Sequence, residues 1–172
     1  GEDDVTVTTV DDPANPNHAV LAPLERRVDI YTQAGIDRID ARTSTMAVRA
    51  DGGTEADLIT GGQGDDVLFG NDGDDIIRGL SGDDFIDGGL GRDIIFGDDG
   101  LVLNAAGDSM TITDLRNLAN PFLIAFINTV FTTVDDDGND QIIGGDDNDI
   151  ILAGLGSDTV DSGEGDDIVI AD

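Results

Sequence analysis

A large aliphatic residue returns at every ninth position along much of the chain: Ile59, Leu68, Ile77, Ile86 and Ile95, then, after a break, Ile142, Ile151, Val160 and Val169. Two positions before each of them stands an aspartate: Asp57, Asp66, Asp75, Asp84 and Asp93, then Asp140, Asp149, Asp158 and Asp167. Two invariant positions in one period mark an internal repeat. Cut from Gly52, the chain reads GGTEADLIT, GGQGDDVLF, GNDGDDIIR, GLSGDDFID and GGLGRDIIF, and from Asp135 it reads DDDGNDQII, GGDDNDIIL, AGLGSDTVD and SGEGDDIVI. The aspartate is the sixth residue of each copy and the aliphatic the eighth.

Of the 24 glycines, 21 fall in Gly52–Gly100 or Gly138–Gly165, mostly at the first, second and fourth positions. The first six residues of each copy therefore read as a tight loop with carbonyls turned inward. The last three read as a short strand whose eighth side chain faces one way and whose seventh and ninth face the other. Two copies make one coil. Stacked coils predict an all-β chain: a parallel β-roll, a β-helix-like solenoid with a thin Ile/Leu/Val core, interrupted by a β-rich insertion.

Between stacked loops, hard oxygens converge: the sixth-position carboxylates above, and Asp or Asn at the fifth position in Asp65, Asp74, Asp83, Asn139, Asn148 and Asp166. Irregular all-oxygen sites suit Ca²⁺, whereas Mg²⁺ demands a stricter octahedron and Zn²⁺ prefers His or Cys. GGQGDDVLF and GGLGRDIIF resemble the haemolysin-type, or repeat-in-toxin (RTX), calcium-binding nonapeptide. That resemblance implies a calcium-loaded parallel β-roll, type I secretion from Gram-negative bacteria, and folding on meeting external calcium. Glu55 and Asp147 replace the fourth-position Gly, Ala56 and Arg92 occupy the fifth position, and Ala153 and Ser162 replace the first. Those loops are expected to be the weaker ones.

Four segments follow: residues 1–51, an extension with degenerate capping coils; 52–100, the first repeat block; 101–134, a β-rich insertion; and 135–172, the second block. In the first, Val5, Val7 and Val10 alternate as in a strand, and Gln33–Ala41 keeps the repeat phase at Gly35, Asp37 and Ile39. Gly97, Asp98, Asp99 and Gly100 open like another loop, which adds Asp99, with Asp98 as the alternative, to the candidate ligands. Counted as a copy, that loop puts Asp140 after Asp93 in one file and Asp149 after itself in the other, giving eight gaps and about six ions. LVLN and SMTITDL are expected to pair across AAGD, and FLIAFINTVFTTV to be extended. The same count puts Val67, Phe69, Phe85, Asp87, Ile150, Leu152, Ile168 and Ile170 on one outer face, an apolar patch too large to leave bare. Leu101–Leu103 would take a strand's place in that sheet and the insertion would cover it, with self-association or contact with neighbouring repeat units as the rival use.

Composition sharpens the picture. With 38 acidic residues against eight basic ones and a formal charge of −30, binding to nucleic acid or anionic lipid is excluded. Four of the acids are Glu and the rest Asp, a bias toward the short carboxylate that suits turns. No Cys is present, and no apolar run reaches membrane-spanning length, so no membrane insertion is expected. The single histidine, His18, sits in a Pro-rich stretch, and no nucleophile elbow, zincin or Walker motif occurs, so no enzyme is expected. Ile94–Asp98 is echoed by Ile168–Asp172, which points to a longer tandem parent. The favoured reading is a non-catalytic, calcium-folded structural segment of a large secreted or cell-surface, adhesin-like bacterial protein. The alternative is the accessory roll of a secreted RTX hydrolase or toxin.

Overall fold

Alternation of short strands with glycine-rich loops produces strand after strand in the computed structural model, which describes residues 4–6, 27–98, 100–103, 128–131 and 138–171. In chain order the strands are β1 (Asp4–Thr6), β2 (Arg27–Tyr31), β3 (Arg38–Asp40), β4 (Ala47–Thr54), β5 (Leu58–Thr60), β6 (Val67–Asp72), β7 (Ile76–Arg78) and β8 (Phe85–Leu90). They continue as β9 (Ile94–Phe96), β10 (Gly100–Leu103), β11 (Asn128–Phe131), β12 (Gln141–Asp146), β13 (Ile150–Leu152), β14 (Thr159–Asp161) and β15 (Ile168–Ile170).

Successive strands alternate between two parallel sheets. The first runs β1-β3-β5-β7-β9-β13-β15 and the second β14-β12-β8-β6-β4-β2. Register stacks each eighth-position residue on its counterpart one coil away: Ile59, Ile77, Ile95, Ile151 and Val169 in the first sheet, and Leu68, Ile86, Ile142 and Val160 in the second. Between the sheets these side chains, except that of the exposed Val169 in the last coil, form one thin core, completed by Ile30, Ile39, Val48 and small alanines. Residues 27–51 share this architecture, since β2 pairs with β4 and β3 with β5. The chain is therefore the all-β parallel roll that the repeat predicts.

Four expectations are corrected. Strands of the first sheet beyond β1 have three residues, but in the second sheet β6, β8 and β12 have six, because the first three residues of the following copy stay extended. The roll is continuous, yet β12 stacks on β8 and β13 on β9. Gly97–Asp98 and the copy from Asp135 are thus parts of one copy rather than two, and Asp140 follows Asp84, not Asp93. Next, β10 does not join the apolar sheet; it pairs antiparallel with β11, Gly100 opposite Phe131. The AAGD turn and the SMTITDL strand lie outside the described residues.

The apolar outer face also changes composition, because Val67, Phe69 and Phe85 lie in the second sheet while Ile150, Leu152, Ile168 and Ile170 lie in the first. The first sheet carries the apolar face. Leu58, Ile76, Ile94, Phe96 and Leu152 form a second buried cluster there, with Ile150 and Ile170 partly buried against it. The expectation that the insertion covers it concerns residues outside those described. On the second sheet Arg49 lies over the Phe69 ring at 4.7 Å, and Phe69 packs beside Phe85 with centroids 5.9 Å apart.

Loop stacking is tight enough to exclude side chains. Gly91 takes φ +117°, and a Cβ there would collide with the Gly73 carbonyl of the previous coil. Leu80 adopts φ 85° without glycine's freedom, at a cost of about 1–2 kcal/mol.

Core filling by single aliphatics makes a direct prediction. In the calcium-loaded chain, Ile86→Ala should lower the unfolding free energy by about 2–5 kcal/mol, whereas Leu90→Ala, at the half-exposed end of β8, should change it by about 0.5 kcal/mol or less. Denaturant titration of both variants measures the difference.

Candidate metal centre

Each sixth-position aspartate ends a loop and begins a strand, which turns its side chain back into the gap between coils. There it follows one rule. Its Oδ1 accepts the backbone N–H of the equivalent residue in the preceding coil: Asp57 from Asp37 (2.8 Å), Asp75 from Asp57 (2.7 Å), Asp93 from Asp75 (2.9 Å), Asp149 from Asp93 (2.8 Å) and Asp167 from Asp149 (3.1 Å). The opposite edge carries a second file, in which Asp66 accepts from Val48 (2.7 Å), Asp84 from Asp66 (2.8 Å), Asp140 from Asp84 (3.0 Å) and Asp158 from Asp140 (3.0 Å). All nine expected sixth-position aspartates are brought into these files.

The other oxygen is the informative one. Oδ2 of Asp84, Asp93, Asp140 and Asp149 is buried without a hydrogen-bond partner. It points at the first-position glycine of its own loop, where the first-position carbonyl of the next coil also arrives: Gly97 O beside Asp84, Gly144 O beside Asp93, Ala153 O beside Asp140 and Ser162 O beside Asp149. A Cβ on Gly79, Gly88, Gly97 or Gly144 would occupy the space these oxygen pairs share. A buried carboxylate oxygen without a hydrogen-bond partner, facing a carbonyl oxygen, suits a hard cation.

Electrostatics agrees. Burial, reinforced by neighbouring carboxylates, pushes Asp84 up to about 9, Asp93 to about 8 and Asp140 to about 7, and it raises Asp66 and Asp149 to about 6. The charges acting on Asp84 come from Asp66, Asp140 and Asp65, and those on Asp93 from Asp75, Asp149 and Asp74. Asp40 shows the contrast. Burial would raise it too, but bonds to Arg42 Nε (2.8 Å) and Arg38 Nη2 (2.6 Å) lower it overall. Asp40 has cations from its own chain, while the charges acting on Asp84 and Asp93 are carboxylates.

Fifth-position residues lie at the exposed rim and reach the other way. Asp65 Oδ1 accepts Asp83 N–H (3.1 Å), Asp83 accepts Asn139 (2.8 Å), Asn139 accepts Ser157 (3.0 Å), Asp74 accepts Arg92 (3.1 Å) and Asn148 accepts Asp166 (2.7 Å). Asn serves there as well as Asp, so this position needs an acceptor rather than a charge. Asp166 joins as the donor of the last bond, and Asp99 lies outside the described residues.

Two more aspartates, Asp37 and Asp98, enter the stacked loops beside the nine. Asp37 heads the first file, legible in advance from the phase of Gly35, Asp37 and Ile39. Asp98 accepts the N–H of Leu155 at 2.7 Å, a role the nine-residue frame conceals because it stands at the second position. Among the described residues no three acidic or imidazole side chains form a metal-holding group, so a cation between coils depends on backbone carbonyls.

A family model described as the RTX calcium-binding nonapeptide repeat matches residues 49–77, 69–100 and 134–169, just over half of the chain. No curated protein and no solved structure matches it.

Raised carboxyl values fix the sign of the pH dependence. The folded state favours the protonated acid, so in calcium-free buffer this contribution is complete below the ordinary value of 3.8 and is lost as pH climbs through about 6 to 9. Circular dichroism of the calcium-free chain should therefore show more β-structure at pH 4 than at pH 8, and saturating calcium should reverse that order.

Proposed function

Because the chain belongs to the RTX calcium-binding nonapeptide repeat family, we propose that the two aspartate files hold Ca²⁺ between successive coils and that this binding makes the roll foldable. The observation that carries the reading is the set of buried, unpartnered Oδ2 atoms on Asp84, Asp93, Asp140 and Asp149, each meeting a carbonyl of the next coil. Sixth-position aspartates are the carboxylate ligands and first-position carbonyls complete the set. Fifth-position Asp and Asn order the loops by accepting from the next coil. Bound calcium would supply the positive charge that these carboxylates otherwise lack.

The module is structural and non-catalytic. Its single histidine and absent cysteines leave little for acid–base or nucleophilic work, and its carboxylates repeat in equivalent positions. We assign it to a large secreted or cell-surface protein of adhesin-like build, in which 27–98 and 138–171 form one roll and the segment between them is an insertion. Extracellular calcium modules bind at about 10⁻⁴ to 10⁻³ M, so the chain would stay unfolded where calcium is scarce and fold after export. Among the described residues no helix is long and apolar enough to cross a membrane.

Circular dichroism with excess EDTA, calcium or magnesium tests the proposal. Calcium alone should produce the β-rich spectrum at millimolar levels, and a folded spectrum in EDTA at neutral pH would refute it. Within calcium, Asp93→Ala should raise the calcium concentration needed for folding several-fold, since it removes a carboxylate from the middle of a file. Asp65→Asn, at the rim, should leave it nearly unchanged.

A further inference from the structure

One loop of the roll is made from two distant stretches of chain. Hydrogen bonds from Leu80 N–H to Gly97 O (3.0 Å) and from Gly97 N–H to Leu152 O (2.9 Å) hold Gly97 in the stack between the loops that begin at Gly79 and Ala153. Gly138 lies between Gly82 and Gly156 in the same stack, so closely that a Cβ on Gly138 would strike the Gly82 carbonyl and one on Gly156 the Gly138 carbonyl. Gly97 and Asp98 are thus the first and second residues of a loop whose fourth to sixth residues are Gly138, Asn139 and Asp140. The chain departs from the middle of the loop as β10 and returns beside it through β11, the two paired antiparallel from Gly100 and Phe131.

The split does not spoil the oxygen geometry. Asp140 is 2 % exposed, and its Oδ2, without a hydrogen-bond partner, meets Ala153 O at Gly97 as Asp84 Oδ2 meets Gly97 O at Gly79. This loop also carries a group that no other has. Its second residue is Asp98, where the intact copies hold Gly53, Gly62, Asn71, Leu80, Gly89, Gly145, Gly154 and Gly163. The Asp98 carboxylate reaches the next loop through Leu155 N–H, and its charge falls on Asp140.

We propose that the split loop is a cation site completed from both ends of the insertion, with Asp140 and the Ala153 carbonyl as in the other gaps and Asp98 as an added carboxylate ligand, so that calcium there clasps the insertion's base to the roll. This rests on the calcium reading above and deepens it. Asp98 stands just before the outgoing β10 and Asp140 well after the returning β11, immediately before β12, so an ion shared by them closes a loop that the ladder between β10 and β11 otherwise closes alone. Such an ion fixes where the insertion springs from the roll.

Calcium-loaded crystals of the full chain should show an anomalous peak about 2.3–2.6 Å from carboxylate oxygens of both Asp98 and Asp140. Filled neighbouring gaps with none at this one, or an ion that Asp98 does not touch, would overturn the proposal. Asp98→Asn, which keeps an acceptor for Leu155, should weaken one ion at least tenfold and speed hydrogen exchange of Gly100–Leu103 at calcium levels where β12 stays protected. Unchanged calcium affinity and exchange in that variant would also overturn it. If the wild-type chain folds without calcium, the calcium reading itself fails. A wild-type chain that needs calcium beside an indifferent Asp98→Asn removes only the clasp.

Discussion

Burial of a row of aspartates that all carry the same charge is the constraint from which the rest follows. A roll with two residues of strand core per coil has little apolar surface to set against like charges held in a low dielectric, and each file adds another carboxylate at every coil. Within the chain, arginine relieves Asp40 and, at the rim, Asp74. The files receive no such help from the side chains around Asp84 and Asp93, which are themselves acidic. Folding at neutral pH therefore calls for a positive charge from outside, delivered where carboxylate and carbonyl oxygens already face each other.

The two acidic positions of the repeat divide the work by direction. Sixth-position side chains accept from the coil before and, at Asp65, Asp74, Asp83, Asn139 and Asn148, fifth-position side chains accept from the coil after, so these five gaps are bridged from both sides. Where only an acceptor is needed, Asn139 and Asn148 replace aspartate. Where an unpaired oxygen faces the next coil's carbonyl, at Asp84, Asp93, Asp140 and Asp149, the residue is aspartate. Glycine at the first position has a matching reason, since any side chain there would fill the space between the two oxygens.

Much of this was legible in the sequence because a nine-residue period fixes side-chain direction. Ile59 to Val160 point inward and Asp57 to Asp167 close the loops as the phase requires. What the phase could not reveal was continuity across the break. Gly97–Gly100 resembles a loop opening as closely as a true copy does, and only the stacking of Gly97 on Leu80 and of Gly138 on Gly82 shows one loop in two pieces. That miscount shifted every later strand to the wrong sheet and hid which outer face is apolar. Strand lengths were hidden too, because glycine at the first two positions signals a turn while β6, β8 and β12 run through it. Between Asp98 and Asp99 the sequence left the choice open, because the importance of Asp98 lies in contact with Leu155, far along the chain.

Equilibrium unfolding at a series of free calcium concentrations tests the central claim most directly. The slope of the logarithm of the folding constant against the logarithm of free calcium counts the ions taken up on folding. Eight gaps join successive aspartates in the two files, and the account predicts a slope of about six to eight. A slope near zero, with the chain folded at neutral pH at every calcium level, would contradict it.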